Sequence, residues 1–115
     1  MNSILETVKH ALGLPSGPDY TFYDSDIIMH INTVISILIQ MSIGINPNVT
    51  VTGPTETWDE LLTFIPNRSH LVKTYMCLKV RMMFDPPTAT NVFSSYDNMI
   101  SELEWRIVHE SDRGA

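Results

Sequence analysis

The sequence predicts an all-α protein: a small bundle of about four to five helices, with a long loop or short β-hairpin between the second and third helices. Apolar residues recur at helical spacing in three long segments, and two short segments begin with capping-box pairs. Proline and glycine separate these segments. With 115 residues, the chain is expected to form one domain, 1–115, around a single core.

The first helix is predicted from Ser3 to Leu12, because Ser3 and Glu6 have the spacing of a capping box. Gly13 and Pro15 should end it. The linker that follows extends to about residue 23 and reads as a loop, since it is rich in proline and glycine.

The second helix is predicted to begin at Asp24, which is a good N-cap residue. Its outer face carries Asn32, Ser36 and Gln40 at intervals of four residues, and this face is polar but uncharged. Such a face suits contact with another protein, where charges are costly to desolvate. The alternative is an exposed face that happens to lack charge.

The segment from Gly44 to Glu56 alternates around Val49 and Val51, which indicates an extended piece or a hairpin. We expect these two valines to offer a strand to a partner. A second capping box, Thr57 with Glu60, predicts a short third helix that Pro66 ends. Asn67 or Ser69 can then cap the helix that follows.

The core helix is predicted from Leu71 to Phe84, because Asp85-Pro86-Pro87 must end it. It carries two apolar stripes, which predicts packing on two sides. Lys73 and Arg81 lie on its remaining polar face and are further candidates for contacts outside the subunit. The first stripe contains Leu71, Tyr75, Leu78 and Met82; the second contains Val72, Met76 and Met83.

The last helix is predicted from Thr90 to Glu110, with a frayed tail after it. Trp105 and Val108 point away from its apolar side, so both are interface candidates, and tryptophan is common among interface anchors. The expected protomer core consists of Leu38, Tyr75, Leu78, Met82, Leu103 and Ile107.

Composition argues against several classes of function. A net charge of −6 with seven dispersed basic residues disfavours a protein that binds nucleic acid through its phosphates. The four histidines are scattered and the single cysteine, Cys77, lies inside the core helix, so no metal site, cofactor or disulfide is predicted. No catalytic motif is present and an enzyme is not expected. The apolar run 27–43 contains histidine, asparagine and glutamine, which favours a buried helix over a membrane span.

Four segments together resemble the head-tail connector, or adaptor, proteins of long-tailed bacteriophages: YDSDIIMHIN (23–32), TWDELL (57–62), VKTYMCLKVRMMFDPPT (72–88) and ISELEWRI (100–107). The resemblance covers most of the chain in the right order. It implies a structural virion protein made in the host cytoplasm and located in the neck. It also implies a twelve-fold ring on the portal protein, a downstream stopper or tail-completion protein as partner, and a channel through which genomic DNA passes without tight binding.

A second reading is a small monomeric helical module that binds another protein as an adaptor or inhibitor. Ring assembly requires two different surfaces of each protomer to be buried, whereas a monomeric module needs no such pair of buried surfaces. We expect residues 44–55 and 105–115 to make most contacts outside the subunit, because a long loop without helix is usually functional or disordered. The alternative is a mobile surface loop with a frayed tail.

Overall fold

The computed structural model describes residues 2–15, 17 and 19–113. Across those residues, the regular structure consists of helices α1 (Ile4–Ala11), α2 (Asp24–Gln40), α3 (Trp58–Leu61), α4 (Ser69–Phe84) and α5 (Thr90–Arg113), with a 3-10 turn at Pro66–Arg68 before α4. No β-strand occurs among them, and the β-type contact found is an isolated antiparallel bridge between Ser3 and Thr57. The all-α prediction is confirmed, and a loop rather than a hairpin joins α2 to α3.

Three helix boundaries follow the local signals in the sequence. The Ser3 hydroxyl accepts a hydrogen bond from the Glu6 backbone N–H at 3.2 Å, which caps α1. Thr57 and Glu60 form the reciprocal capping box at the start of α3. Helix α4 ends at Phe84, directly before Asp85 and the two prolines. Short-range chemistry therefore determines these boundaries.

Two predicted caps are wrong. Tyr23 occupies the N-cap position of α2 without a side-chain hydrogen bond, and Asp24 is the first helical residue. The Asp24 carboxylate instead forms an ion pair with the Lys9 ammonium at 2.9 Å. At α4, Asn67 lies in the 3-10 turn and Ser69 is already helical, so neither caps that helix. In both places the preceding turn determines where the helix begins.

Helix α4 lies at the centre of the bundle and contacts α1, α2 and α5. Its fully buried residues are Val72, Tyr75, Met76 and Val80. Leu78 and Met82 were predicted as core residues, but they are half-buried and pack against the core from its edge. The buried face of α4 combines members of both predicted stripes with Val80, which belonged to neither, and Met83 of the second stripe is exposed. Helix α5 contacts this face at Tyr75.

The core of the bundle is continuous from α1 to α5. Leu38 and Ile107 are buried in it, as predicted, whereas Leu103 is half-buried. Helix α5 contributes Ile100 and Ile107 and continues to Arg113, three residues beyond the predicted end at Glu110. The last two positions of the predicted tail, 114 and 115, lie outside the described residues.

Candidate assembly surfaces

Trp105 is the predicted interface residue that the structure exposes most clearly. Its side chain is 62% exposed, and its indole stacks on the His109 imidazole with ring centroids 4.0 Å apart. The His109 Nδ1 lies 2.7 Å from the Trp105 carbonyl oxygen, which orients the two rings along one face of α5. Val108 is half-buried and packs against the core, so it does not share this exposed face.

The uncharged face of α2 divides into two parts. Ser36 and Gln40 are exposed, and the neighbouring Met29 and Ile39 are exposed apolar residues. Asn32 is half-buried and turns towards the loop between α2 and α3. The face available to a partner is therefore the exposed part, without the Asn32 amide.

Asn32 anchors Val51 by a pair of hydrogen bonds. The Asn32 amide nitrogen donates to the Val51 carbonyl and the Asn32 amide oxygen accepts from the Val51 N–H, both at 2.9 Å. Val51 is 1% exposed, and Val49 is half-buried against the core. The idea that Val51 offers its backbone to a partner strand is wrong for this fold, because its own N–H and C=O already have partners.

Glu56 further orders the same loop. Its carboxylate accepts hydrogen bonds from the Thr52 N–H at 3.0 Å, the Thr52 hydroxyl at 2.7 Å and the Gly53 N–H at 3.3 Å. Burial opposes ionisation, but the hydrogen bonds to the charged form outweigh it and lower the pKa of Glu56 below its ordinary value of 4.5. These bonds close residues 52–56 on themselves, and the Glu56 carbonyl ties the loop to α1 by accepting from the Ile4 N–H at 3.1 Å.

Lys73 and Arg81 are half-buried on neighbouring faces of α4. The Lys73 ammonium lies 5.8 Å from the centroid of the buried Trp58 ring, within the range of a cation–π contact. The Arg81 Nε donates to the Asp85 backbone carbonyl at 3.0 Å, across the end of the helix. Each cation therefore has an internal contact, and Lys73 also borders a shallow hollow with Asp59 and Thr63.

An exposed aromatic edge was missed by the sequence interpretation, which described the linker before α2 only as a loop. Tyr20, Phe22 and Tyr23 are 55%, 87% and 45% exposed. The Tyr23 ring packs edge-on against both Phe22 and Phe84, with centroids 4.9 and 5.5 Å apart. The run of three aromatics in four residues, Tyr20 to Tyr23, was the available signal.

Two hollows adjoin this aromatic edge and share Leu14 and Tyr23. One is about 170 Å³ and reaches Lys9 and Asp24; the other is about 510 Å³ and lies next to Asp26. We refer to the two adjoining hollows together as the Tyr23 groove. Its lining residues are Lys9, Leu14, Pro15, Asp19, Tyr20, Phe22, Tyr23, Asp24, Asp26, His30, Phe84 and Asp85.

The described residues offer little for chemistry of other kinds. They contain no cluster of three or more histidine, cysteine or acidic side chains that could hold a metal ion. Burial raises the pKa of the Cys77 thiol to about 11, which keeps it protonated and weakly nucleophilic at neutral pH. Within the same residues, no helix combines the length and apolar character needed to cross a bilayer.

A closed helical core with aromatic and aliphatic side chains on several outer faces is typical of a small helical assembly subunit. A family model described as phage connector protein matches residues 4–114, and the chain therefore belongs to that family. Membership indicates a structural component of the phage virion that works with portal and tail proteins. No curated protein and no solved structure matched the chain.

Proposed function

We propose that this chain is the subunit of a ring, a dodecamer, that assembles on the portal vertex after DNA packaging. The ring joins the capsid to the stopper or tail-completion protein in the virion neck and leaves a channel for DNA. The observation that carries this proposal is the family match over residues 4–114. The acidic balance, −6 for the chain, is compatible with a channel that does not retain phosphate.

A ring needs two different contact surfaces on each protomer, because its interfaces are head-to-tail. The exposed face of Trp105 and His109 on α5 is one candidate, and the exposed Ser36 and Gln40 on α2 are another. Lys73, Arg81, Val49 and Val108 remain candidates of lower exposure, since each already contacts its own subunit. Asn32 and Val51 are left out of this proposal because they bind each other.

Trp105→Ala tests the proposal in the phage that encodes the chain. The free subunit should keep its melting temperature, since the indole is largely in solvent, whereas purified virions should carry less of the protein and show defective head-tail joining. Phe64→Ala is the matched control, because Phe64 is similarly exposed but lies in the turn after α3. Normal incorporation of the Trp105→Ala protein would remove this face from the ring interface.

Direct imaging of isolated necks tests the ring itself. A density ring of this chain between portal and tail, with twelve copies, is the expected result. Virions without the protein, together with a monomeric protein bound to a cytosolic partner, would favour the adaptor module over the connector.

A further inference from the structure

We propose that the Tyr23 groove is a docking site for a segment of another protein that combines lysine or arginine with aliphatic residues. The first support is the concentration of exposed aromatic surface at this place. Phe22 is 87% exposed, more than any other exposed large apolar side chain of the described residues, and Tyr20 and Tyr23 beside it are 55% and 45% exposed. A contiguous apolar patch of this kind, bordered by polar groups, usually marks an interaction site.

The second support is the charge of the lining. Four carboxylates, those of Asp19, Asp24, Asp26 and Asp85, line the groove, while Lys9 supplies the one ammonium among its lining residues. That ammonium is 2.9 Å from the Asp24 carboxylate and its side chain is 2% exposed, so it neutralises Asp24 and is shielded from a ligand. Asp19 and Asp26 are exposed and remain available to a cation.

The combination of aromatic rings and carboxylates selects one kind of partner. Lysine and arginine place aliphatic stems on apolar surface while their charged heads reach nearby acids. Their cationic groups are also attracted to the faces of tyrosine and phenylalanine. An acidic segment would be repelled by the lining, and a purely aliphatic one would leave the carboxylates without a partner.

The shape of the groove favours an extended segment over a single ion or small molecule. The two hollows share Leu14 and Tyr23 in their linings, and carboxylates line each of them. A segment that crosses Tyr23 can therefore place apolar side chains against Phe22 and Phe84 and cations near Asp19 and Asp26. This contact lies outside the surfaces of Trp105, Ser36 and Gln40 assigned to ring formation.

Nuclear magnetic resonance titration of the full-length ¹⁵N-labelled protein tests the proposal. The probe is a short synthetic peptide of leucine, lysine and glycine, compared with the same peptide carrying glutamate in place of lysine. We expect saturable shifts of the Leu14, Tyr23, His30 and Asp85 amides with the lysine peptide, and none with the glutamate peptide. Raising the salt from about 0.1 M to about 1 M should weaken binding, since the Debye length falls from about 10 Å to about 3 Å.

Two variants with matched controls sharpen the test. Phe22→Ala should weaken the lysine peptide about tenfold or more, whereas Phe64→Ala, another exposed phenylalanine, should leave its affinity unchanged. Asp26→Asn should weaken binding severalfold, whereas Asp97→Asn, on the exposed part of α5, should not. All four positions are exposed, so each variant is expected to fold.

Several outcomes would overturn the proposal. These are equal binding of the glutamate peptide, shifts that map outside the groove, no saturable shift, or a Phe22→Ala protein that binds as tightly as Phe64→Ala. Concentration-dependent shifts of the groove amides without peptide would assign the groove to a second copy of this chain. The titration uses the free protein, so its result is separate from whether the chain is found in a virion neck.

Discussion

Lys9 is the residue at which burial and charge conflict most directly. Its side chain extends from α1 into the domain, where it pairs with Asp24 at 2.9 Å and donates to the Tyr20 carbonyl at 2.7 Å. It thereby ties α1 to the beginning of α2 and to the aromatic edge. The sequence interpretation could not find this pair, because the 15 positions that separate its members are bridged by a loop without periodicity.

We predict that Lys9→Met destabilises the fold by about 3 kcal/mol, because it leaves the Asp24 carboxylate in a largely buried site without its counter-charge. Urea unfolding followed by circular dichroism measures the change. The double variant Lys9→Met/Asp24→Asn is the control and should recover part of the loss, since no unpaired charge remains. A Lys9→Met protein as stable as the wild type would show that the pair is unimportant for folding.

Tyr75 links α4 to α5 through a hydrogen bond from its hydroxyl to the Glu104 carboxylate at 2.8 Å. Burial of the phenol, and then the neighbouring Glu104 charge and hydrogen bond, raise the pKa of Tyr75 above its ordinary value of 10.0. The folded state therefore holds a proton that the unfolded chain releases above that pH. The protonated phenol therefore makes its full contribution to the free energy of unfolding below pH 10. That contribution is lost as the pH rises through the folded-state pKa.

We predict that Tyr75→Phe costs about 1.5 to 3 kcal/mol at neutral pH, the usual range for a hydrogen bond to a charged group. The variant should also lose less stability than the wild type between about pH 9 and pH 11, since it has no phenol to ionise there. Denaturant midpoints measured across this range decide the matter. Parallel pH profiles for the two proteins would contradict the burial of a protonated Tyr75.

Among the helices, α4 has one feature that the sequence predicts and one that it does not. Its C-terminal end at Phe84 was predictable because proline acts locally on the backbone. Which of its apolar residues are fully buried was not predictable, since Leu71, Leu78 and Met82 are as hydrophobic as Val72 and Met76. The choice depends on where α1, α2 and α5 pack, and that information lies outside the helix.

Core truncations in α4 should follow the observed burial. We predict a loss of about 2 to 5 kcal/mol for Met76→Ala, which leaves a cavity in the centre of the bundle. Leu78→Ala should cost clearly less, because Leu78 is half-buried and solvent can fill part of the vacated space. Thermal and urea unfolding of the two variants, compared side by side, measure the difference. The reverse order would return Leu78 to the core.

In the loop between α2 and α3, the side-chain amide of Asn32 binds the backbone of Val51 in the way that a neighbouring β-strand would. Asn32 supplies both the donor and the acceptor that Val51 needs, so the alternation around Val49 and Val51 reflects burial and not a hairpin. The alternating pattern was visible in the sequence. Its partner was not, because Asn32 reads equally well as part of a polar helix face.

Asn32→Ala should release this loop without unfolding the bundle. Hydrogen exchange at the Val51 amide should then accelerate by about tenfold or more, since its N–H loses its acceptor, while amides in the centre of α4 remain protected. Ser36→Ala, one turn further along α2 at an exposed position, is the control and should change neither. Unchanged exchange at Val51 in Asn32→Ala would mean that packing alone holds the loop.

For the whole molecule, the sequence predicted the class of fold and the family but not the arrangement of its outer surfaces. Helix number, caps and prolines depend on neighbours along the chain, whereas the Tyr23 groove combines residues from the first linker, α2 and the end of α4. Trp105 could be predicted as exposed because one helix was enough to place it opposite Ile107 and Leu103. Surfaces made of several segments require the packed structure.

The distribution of charge over the molecule affects how tightly it can bind DNA. Of the seven basic residues, Lys9 is buried in an ion pair and Arg106 pairs with Glu102 at 2.9 Å, which reduces the number of cations that could meet phosphates together. Tight binding to duplex DNA needs several cations that neutralise neighbouring phosphates together.

We therefore predict that the protein does not bind duplex DNA with submicromolar affinity at about 0.15 M salt, as measured by fluorescence anisotropy with a labelled duplex. The variant Asp26→Lys/Asp97→Lys is a control in which lower acidity should strengthen any residual, salt-sensitive association. Submicromolar binding by the wild type, falling steeply as salt rises, would show that a basic surface forms in spite of the acidic composition.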